Sequence, residues 1–174
     1  MRLKTRQPLI LTARIPETDL APFDRLRQIY FPPDRNFLRA HLTMFHRLPG
    51  EYTGRIMEQL ADIAGGSVTI EAEVTGVQNL GAGVAFMIDS LELHELRAQL
   101  KAAFLPWLGP QDMQIWRPHI TIQNKVSNLA ADDLHRQLLS TFEPHPIKVI
   151  GVDLWQYLNG PWKHENSAMF KTDV

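Results

Sequence analysis

The sequence predicts an α+β protein with a bilobal, duplicated fold. Each lobe is a small, mainly antiparallel sheet with helices on its outer face, and a pseudo-two-fold axis relates the lobes across a central groove. Three observations predict this. One pattern, Arg-x-His-x-Thr followed by an apolar residue, occurs twice, in Arg39-Ala40-His41-Leu42-Thr43-Met44-Phe45 and in Arg117-Pro118-His119-Ile120-Thr121-Ile122-Gln123. The order strand, helix, motif strand, helix, strand also runs twice, over approximately 8–80 and 83–170. The closing strands echo one another, with Thr75-Gly76-Val77 in the first half and Ile150-Gly151-Val152 in the second. A supersecondary unit that cannot bury its apolar face alone finds a partner in its own copy. No linker or low-complexity run separates the halves, so 1–174 is expected to be a single bilobal domain.

Taken in order, Pro8 to Ile15 is apolar and rich in β-formers, and Pro16 ends it as a first strand. Thr18 or Asp19 is the expected cap of a helix whose apolar stripe is Leu20, Phe23, Leu26 and Tyr30. Phe31-Pro32-Pro33-Asp34 stops that helix. The first motif strand runs from His41 to Leu48 and closes at Pro49-Gly50. A helix capped near Thr53 carries Ile56, Leu60 and Ile63 and stops at Gly65-Gly66. Ser67 to Val77 alternates as a third strand.

The second half begins with a strand from Gly83 to Asp89. Ser90 caps a helix with Leu93, Leu96, Leu100 and Phe104. A loop rich in Pro and Gly covers 106–112, and the second motif strand runs from His119 to Val126. Ser127 or Asn128 caps a helix with Ala131, Leu134, Leu138 and Phe142. A strand from Ile147 to Leu158 follows, and a short one over Ser167–Phe170 ends the chain.

Bulk properties narrow the function classes. A formal charge of −1 and a pI near 6.7 argue against a protein that coats long nucleic acid through phosphate contacts, but leave room for a locally basic pocket. There is no cysteine, hence no thiolate nucleophile and no disulfide framework. No stretch approaches the apolar length of a membrane span. A cytoplasmic, monomeric protein without membrane contact is expected.

In a strand, alternate residues share a face. Arg39, His41, Thr43 and Phe45 are therefore expected on one face, with Leu42 and Met44 turned to the core. Arg117, His119, Thr121 and Gln123 sort the same way. Imidazole titrates near neutrality, so one neutral and one protonated histidine across a groove can serve as general base and general acid on a phosphodiester. Thr43 and Thr121 supply hydroxyl donors to the phosphoryl oxygens. Arg39 and Arg117 either add charge-assisted bonds or form ion pairs at the rim. Phe45 could stack a base and Gln123 could bond one, or both could pack. Arg47 and Lys125 extend the alternation towards the groove. Trp116, Tyr157 and Trp162 bring aromatic surface near the second motif and the C-terminal turn Asn159 to His164, which could lie over the groove mouth. Neither His46 nor the other histidines show metal-ligand spacing, so no metal site is expected.

The paired His-Leu-Thr-Met and His-Ile-Thr-Ile resemble the two signature motifs of the 2H phosphoesterase superfamily, which includes the bacterial 2′-5′ RNA ligase family and RNA 2′,3′-cyclic phosphodiesterases. The resemblance implies a bilobal duplicated fold with one motif per lobe. It implies His41 and His119 as the catalytic pair, Thr43 and Thr121 as phosphate ligands, and activity without metal or nucleotide cofactor on a nucleotide or RNA end. Two other readings fit the same groove. One is a module that binds a nucleotide or RNA end without turnover. The other is a phosphodiesterase for a non-RNA cyclic phosphate, such as an ADP-ribose cyclic phosphate.

Overall fold

The computed structural model describes residues 6–172. Eight strands and five α-helices follow one another along them: β1 (Leu9–Arg14), α1 (Glu17–Tyr30), β2 (Thr43–Leu48), α2 (Thr53–Gly65), β3 (Ile70–Asn79), β4 (Val84–Asp89), α3 (Leu91–Phe104), α4 (Pro110–Met113), β5 (His119–Gln123), α5 (Asn128–Leu139), β6 (His145–Val149), β7 (Gly151–Tyr157) and β8 (Trp162–Met169). They form two four-stranded sheets, ordered β2-β1-β7-β8 and β5-β4-β3-β6, and every pairing within them is antiparallel. This is the α+β, two-sheet architecture that the sequence predicts.

The sheets do not follow the two sequence halves. β3 leaves the first half to lie beside β4 and β6, while β7 and β8 return to complete the sheet begun by β1 and β2. The expected long strand from Ile147 to Leu158 is therefore two strands in two sheets. The crossing residue is Ile150, whose N–H donates to Arg14 at 2.8 Å and whose carbonyl accepts from Phe170 at 2.9 Å. Gly151 follows because a Cβ there would lie 2.6 Å from the carbonyl oxygen of Ala168.

The helices cross over as well. α1 follows a strand of the first sheet but packs on β5 of the second, and α4 packs on β2 of the first. α2 covers β7 and β8, and α5 covers β3 and β4. One contiguous apolar core joins both sheets, including Leu11, Leu42 and Leu154 from one and Val74, Ile88 and Ile120 from the other.

Most helix signals act where the sequence places them. Ser90 Oγ accepts from Leu93 N at 3.2 Å, and Ser127 Oγ accepts from Ala130 N at 3.1 Å. α1 differs, since Pro16 occupies its N-cap without a side-chain bond. Asp19 instead accepts from Lys148 N at 2.9 Å, tying the helix start to β6. The loop over 106–112 contains the short α4, and β8 is longer than the Ser167–Phe170 segment expected. Among the described residues no helix is long and apolar enough to cross a membrane.

Candidate active site

β2 and β5 are the outer strands of their sheets, and the two motifs meet there. Leu42 and Ile120 form an isolated antiparallel bridge, and both side chains are fully buried. In that register His41 lies opposite Thr121 and Thr43 opposite His119. All four side chains share the face opposite Leu42 and Ile120. His41 precedes β2 rather than opening it, and Leu42 beside it joins both sheets, accepting from Ala13 N of β1 at 2.9 Å while it bridges Ile120. His41 and Thr121 line one cavity of about 420 Å³. Thr43 and His119 line another of about 540 Å³. Each histidine thus shares its cavity with the threonine of the other copy.

The two imidazoles are held alike. Nδ1 of His41 is 2.8 Å from the carbonyl of Arg39, and Nδ1 of His119 is 2.7 Å from the carbonyl of Arg117. A carbonyl oxygen accepts and never donates, so in each ring Nδ1 carries the hydrogen and Nε2 is left for chemistry. The residue two before each histidine therefore acts through its main chain. The arginine side chains diverge. Arg39 forms a bidentate pair with Glu17 at 2.6 and 2.9 Å and reaches Asp24 at 3.3 Å, which holds the Glu17 carboxyl below its ordinary range. Arg117 is exposed, has no ion pair among the described residues, and lines the cavity of Thr43 and His119.

Two expected site residues turn inward. Thr43 pairs with Thr12 and Phe45 with Leu11, so Met44 is an extra residue in β2. Thr121 pairs with Ala85 and Gln123 with Val84, so Ile122 is an extra residue in β5. A β-bulge of this kind breaks strict alternation. Phe45 is consequently fully buried against Phe104, with ring centroids 5.5 Å apart, and is absent from the groove. Gln123 is 6% exposed, and its Oε1 has no partner among the described residues. Glycine is required opposite, because a Cβ on Gly83 would stand 1.9 Å from the Gln123 carbonyl oxygen. The same bulge follows the same threonine in both copies.

A family model for the 2′-5′ RNA ligase superfamily matches residues 15–161. The chain belongs to this superfamily. No curated protein matches its sequence. Among solved structures it is similar to TT0787 of Thermus thermophilus, with a TM-score of 0.69 at 16% identity over 96% of this chain and 100% of that one. It is also similar to Escherichia coli LigT solved with 3′-AMP, with a TM-score of 0.63 at 14% identity over 95% and 99% of the two chains. LigT solved with NADP+ gives a TM-score of 0.60 at 16% identity, over 95% and 98%. At such identities these likenesses establish the fold.

In this 2′-5′ RNA ligase superfamily member the motif strands have open outer edges, and buried side chains from the opposite repeat satisfy them. Arg27 of α1 donates to the carbonyls of Thr121 at 3.2 Å and Leu38 at 3.0 Å, and its guanidinium lies 3.9 Å over Phe31. Arg97 of α3 donates to the carbonyl of Met44 at 2.9 Å and lies 4.0 Å over Phe45. Burial lowers the pKa of both guanidinium groups, that of Arg27 to about 10. Asp112 of α4 accepts from His46 N at 2.8 Å and Arg47 N at 3.0 Å. Burial raises the Asp112 carboxyl, but the hydrogen bonds from His46 and Arg47 outweigh it and leave its pKa lowered. Trp116, read from sequence as possible stacking surface, donates its indole N–H to the Thr43 carbonyl at 3.1 Å. Arg27, Arg97 and Asp112 carry no motif in the sequence. Arg97 falls on a helix position that only the crossed packing makes internal.

The remaining predicted positions divide. Trp162 lies over His41, with centroids 4.7 Å apart, and Tyr157 and Lys125 line the His41 cavity beside it. Lys125 follows the end of β5 in a left-handed conformation with φ of 61°, which ends the strand short of Val126. Arg47 lines a different cavity, beside Pro49 and Trp107. His135 places Nε2 3.0 Å from the Val77 carbonyl. His41 keeps some accessible surface, but protein walls desolvate its charged form. That burial, with Arg27, His119 and His46 adding repulsion, pushes its pKa down to about 4. Among the described residues no three His, Asp or Glu side chains gather as a metal-ligand set.

Proposed function

We propose that this protein is a two-histidine phosphoesterase that acts on 2′,3′-cyclic phosphate or 2′-5′ phosphodiester groups of nucleotides or RNA ends. One observation carries the reading: His41 and His119 lie diagonally across a single β-bridge, each with Nδ1 tied back and each facing the other copy's threonine. In-line displacement at phosphorus needs a base on one side and an acid on the other. His41, whose neutral form is favoured, is the base. Its Nε2 takes a proton from water as the new P–O bond forms. His119 gives its Nε2 proton to the ribose oxygen as that P–O bond breaks. Thr43 and Thr121 donate to the two non-bridging oxygens, where charge accumulates. Support also comes from LigT, which shares the fold and was solved with 3′-AMP, a ribose 3′-phosphate of the kind that ring opening yields.

The test is turnover of the four nucleoside 2′,3′-cyclic monophosphates with EDTA present. The wild type is expected to open the ring. His41→Ala and His119→Ala are each expected to lose about 10²- to 10⁴-fold in rate. Retained activity in both variants overturns the two-histidine mechanism. Binding without turnover removes the cyclic monophosphates as substrates and moves the test to 2′-5′-linked and cyclic-phosphate-ended RNAs, and no turnover of those leaves the protein a nucleotide-binding module.

A further inference from the structure

We infer that the cavity under the open face of the first sheet, on the far side of Trp162 from the basic cavity, is a pocket for an unpaired nucleobase, with Asp153 selecting bases that carry an amino group. The inference rests on the phosphoesterase reading, which fixes where the phosphate lies.

α2 covers one face of the first sheet at β7 and β8. The other face lines a cavity of about 500 Å³ that reaches His41. Thr12 of β1 pairs with Asp153 of β7, and Ile10 with Trp155, which places Thr12, Asp153 and Trp155 on one face. Phe37, Trp155 and Trp162 give the cavity aromatic walls, and Ile15, Leu20 and Leu38 add aliphatic ones. A concave, mainly apolar site with a few converging polar groups is what a planar ligand needs.

Charge decides which part of a nucleotide belongs there. Among the described residues, the cavity shared by His41 and Thr121 contains Arg27, Arg35 and Lys125 and no carboxylate. It suits phosphate and a continuing backbone. The cavity under the sheet contains two arginines and two carboxylates, and they neutralise each other. Arg14 bonds Asp153 at 3.0 Å, and Arg39 bonds Glu17. A phosphate gains nothing there, whereas an uncharged ring does.

Asp153 is 8% exposed, and its donors converge on one oxygen. Oδ1 accepts from Arg14 and from the Ser167 hydroxyl, and His164 Nε2 stands 3.4 Å away. Oδ2 remains as an acceptor for the ligand. The indole of Trp155 is locked by its N–H bond to Thr12 Oγ1 at 3.0 Å, and its ring centroid is 6.2 Å from that of Trp162. The two indoles are tilted by 50° and pack on each other, so a base lies against this aromatic wall, stacked on one face and read on one edge, the mode that single-stranded RNA recognition uses. An exocyclic amine on adenine, guanine or cytosine meets Oδ2 as a donor. Uracil presents a carbonyl at the position where cytosine has its amine.

The experiment compares cytidine and uridine 2′,3′-cyclic phosphates with base-free ribose 2′,3′-cyclic phosphate on the wild type, then repeats the pair on Asp153→Asn. The base-free compound is expected to lose about 10- to 100-fold in kcat/KM, the range of one base-stacking contact. Cytidine should be preferred over uridine by the wild type, and Asp153→Asn should abolish or reverse that preference. Equal turnover of the base-free compound overturns the pocket while leaving the phosphoesterase reading intact. If no compound is turned over, the cyclic-phosphate form of that reading fails instead, and calorimetry on the wild type decides the pocket. Tighter binding of 3′-AMP than of ribose 3-phosphate, by about tenfold or more, upholds it, and equal binding overturns it. The base-free comparison involves no substitution, so a folding defect in Asp153→Asn cannot hide the result.

Discussion

The two half-sites share a frame and differ in their surroundings. In both, a carbonyl two residues upstream fixes the histidine tautomer, the threonine of the other copy faces the ring, and a bulge follows the threonine. Around that frame the copies part. His41 is walled by Trp162, and its flanking Arg39 is bound by Glu17 and Asp24. His119 shares its cavity with Gln111, Gln114 and an Arg117 that forms no ion pair among the described residues. The main chain carries what both halves of the reaction require. The side chains around it set the surroundings of His41 apart from those of His119, the difference on which the proposed division into base and acid rests.

This comparison is best broken at the shared elements first. Thr43→Val and Thr121→Val each remove one donor to a phosphoryl oxygen and are expected to lower kcat by about 10²-fold or more, in parallel. A large loss for one and none for the other would show that the copies do not share the work. Next come the crossed arginines. Arg27→Met and Arg97→Met leave motif-strand carbonyls without a buried donor and are each expected to destabilise by about 1–3 kcal/mol. Thermal melts read this as a drop in Tm of roughly 2–4 °C per kcal/mol for a chain of this size.

The half-sites should also differ in pH response. If His41 is the base, kcat/KM should hold on acidification and fall only as His41 takes its proton, near pH 4. An acid limb with a midpoint near 6.5, the ordinary imidazole value, would remove His41 from that role. Stability follows from the same shift. The unfolded chain protonates this histidine near 6.5 and the folded one near 4, so the unfolded state binds the proton first. Stability is unaffected by this group above pH 6.5 and declines as pH falls from there to about 4, which denaturant titrations at several pH values would detect. The smallest effect distinguishes the flanking arginines. Arg117→Gln is expected to raise KM by about threefold to tenfold, as expected for loss of one charge-assisted contact, while Arg39→Gln should leave KM nearly unchanged.

The motif pair was legible because His41, Thr43, His119 and Thr121 repeat in type and spacing, and the helix caps Ser90 and Ser127 because capping is local. Phe45 and Gln123 were misplaced because a bulge shifts register without any residue type that announces it. The break at Ile150 was nearly invisible for a related reason. Residues 147–158 are dominated by strand formers, with Gly151 the one local mark of a break, and the partners β3 and β1 divide them between two sheets. Arg27, Arg97 and Asp112 read as ordinary charged residues because the edges they satisfy are brought to them by packing.

The exchange of strands between the halves has a bearing on how the chain can be divided. A cut in the turn after β3 leaves the N-terminal piece with β1 and β2 of one sheet and β3 of the other, so neither fragment owns a whole sheet. Each piece would be half of an interlocked pair, required to fold upon its complement. Two such pieces, each bringing one motif histidine, would rebuild the groove only together, so the proposed catalytic pair and the fold would be recovered in the same reassembly step.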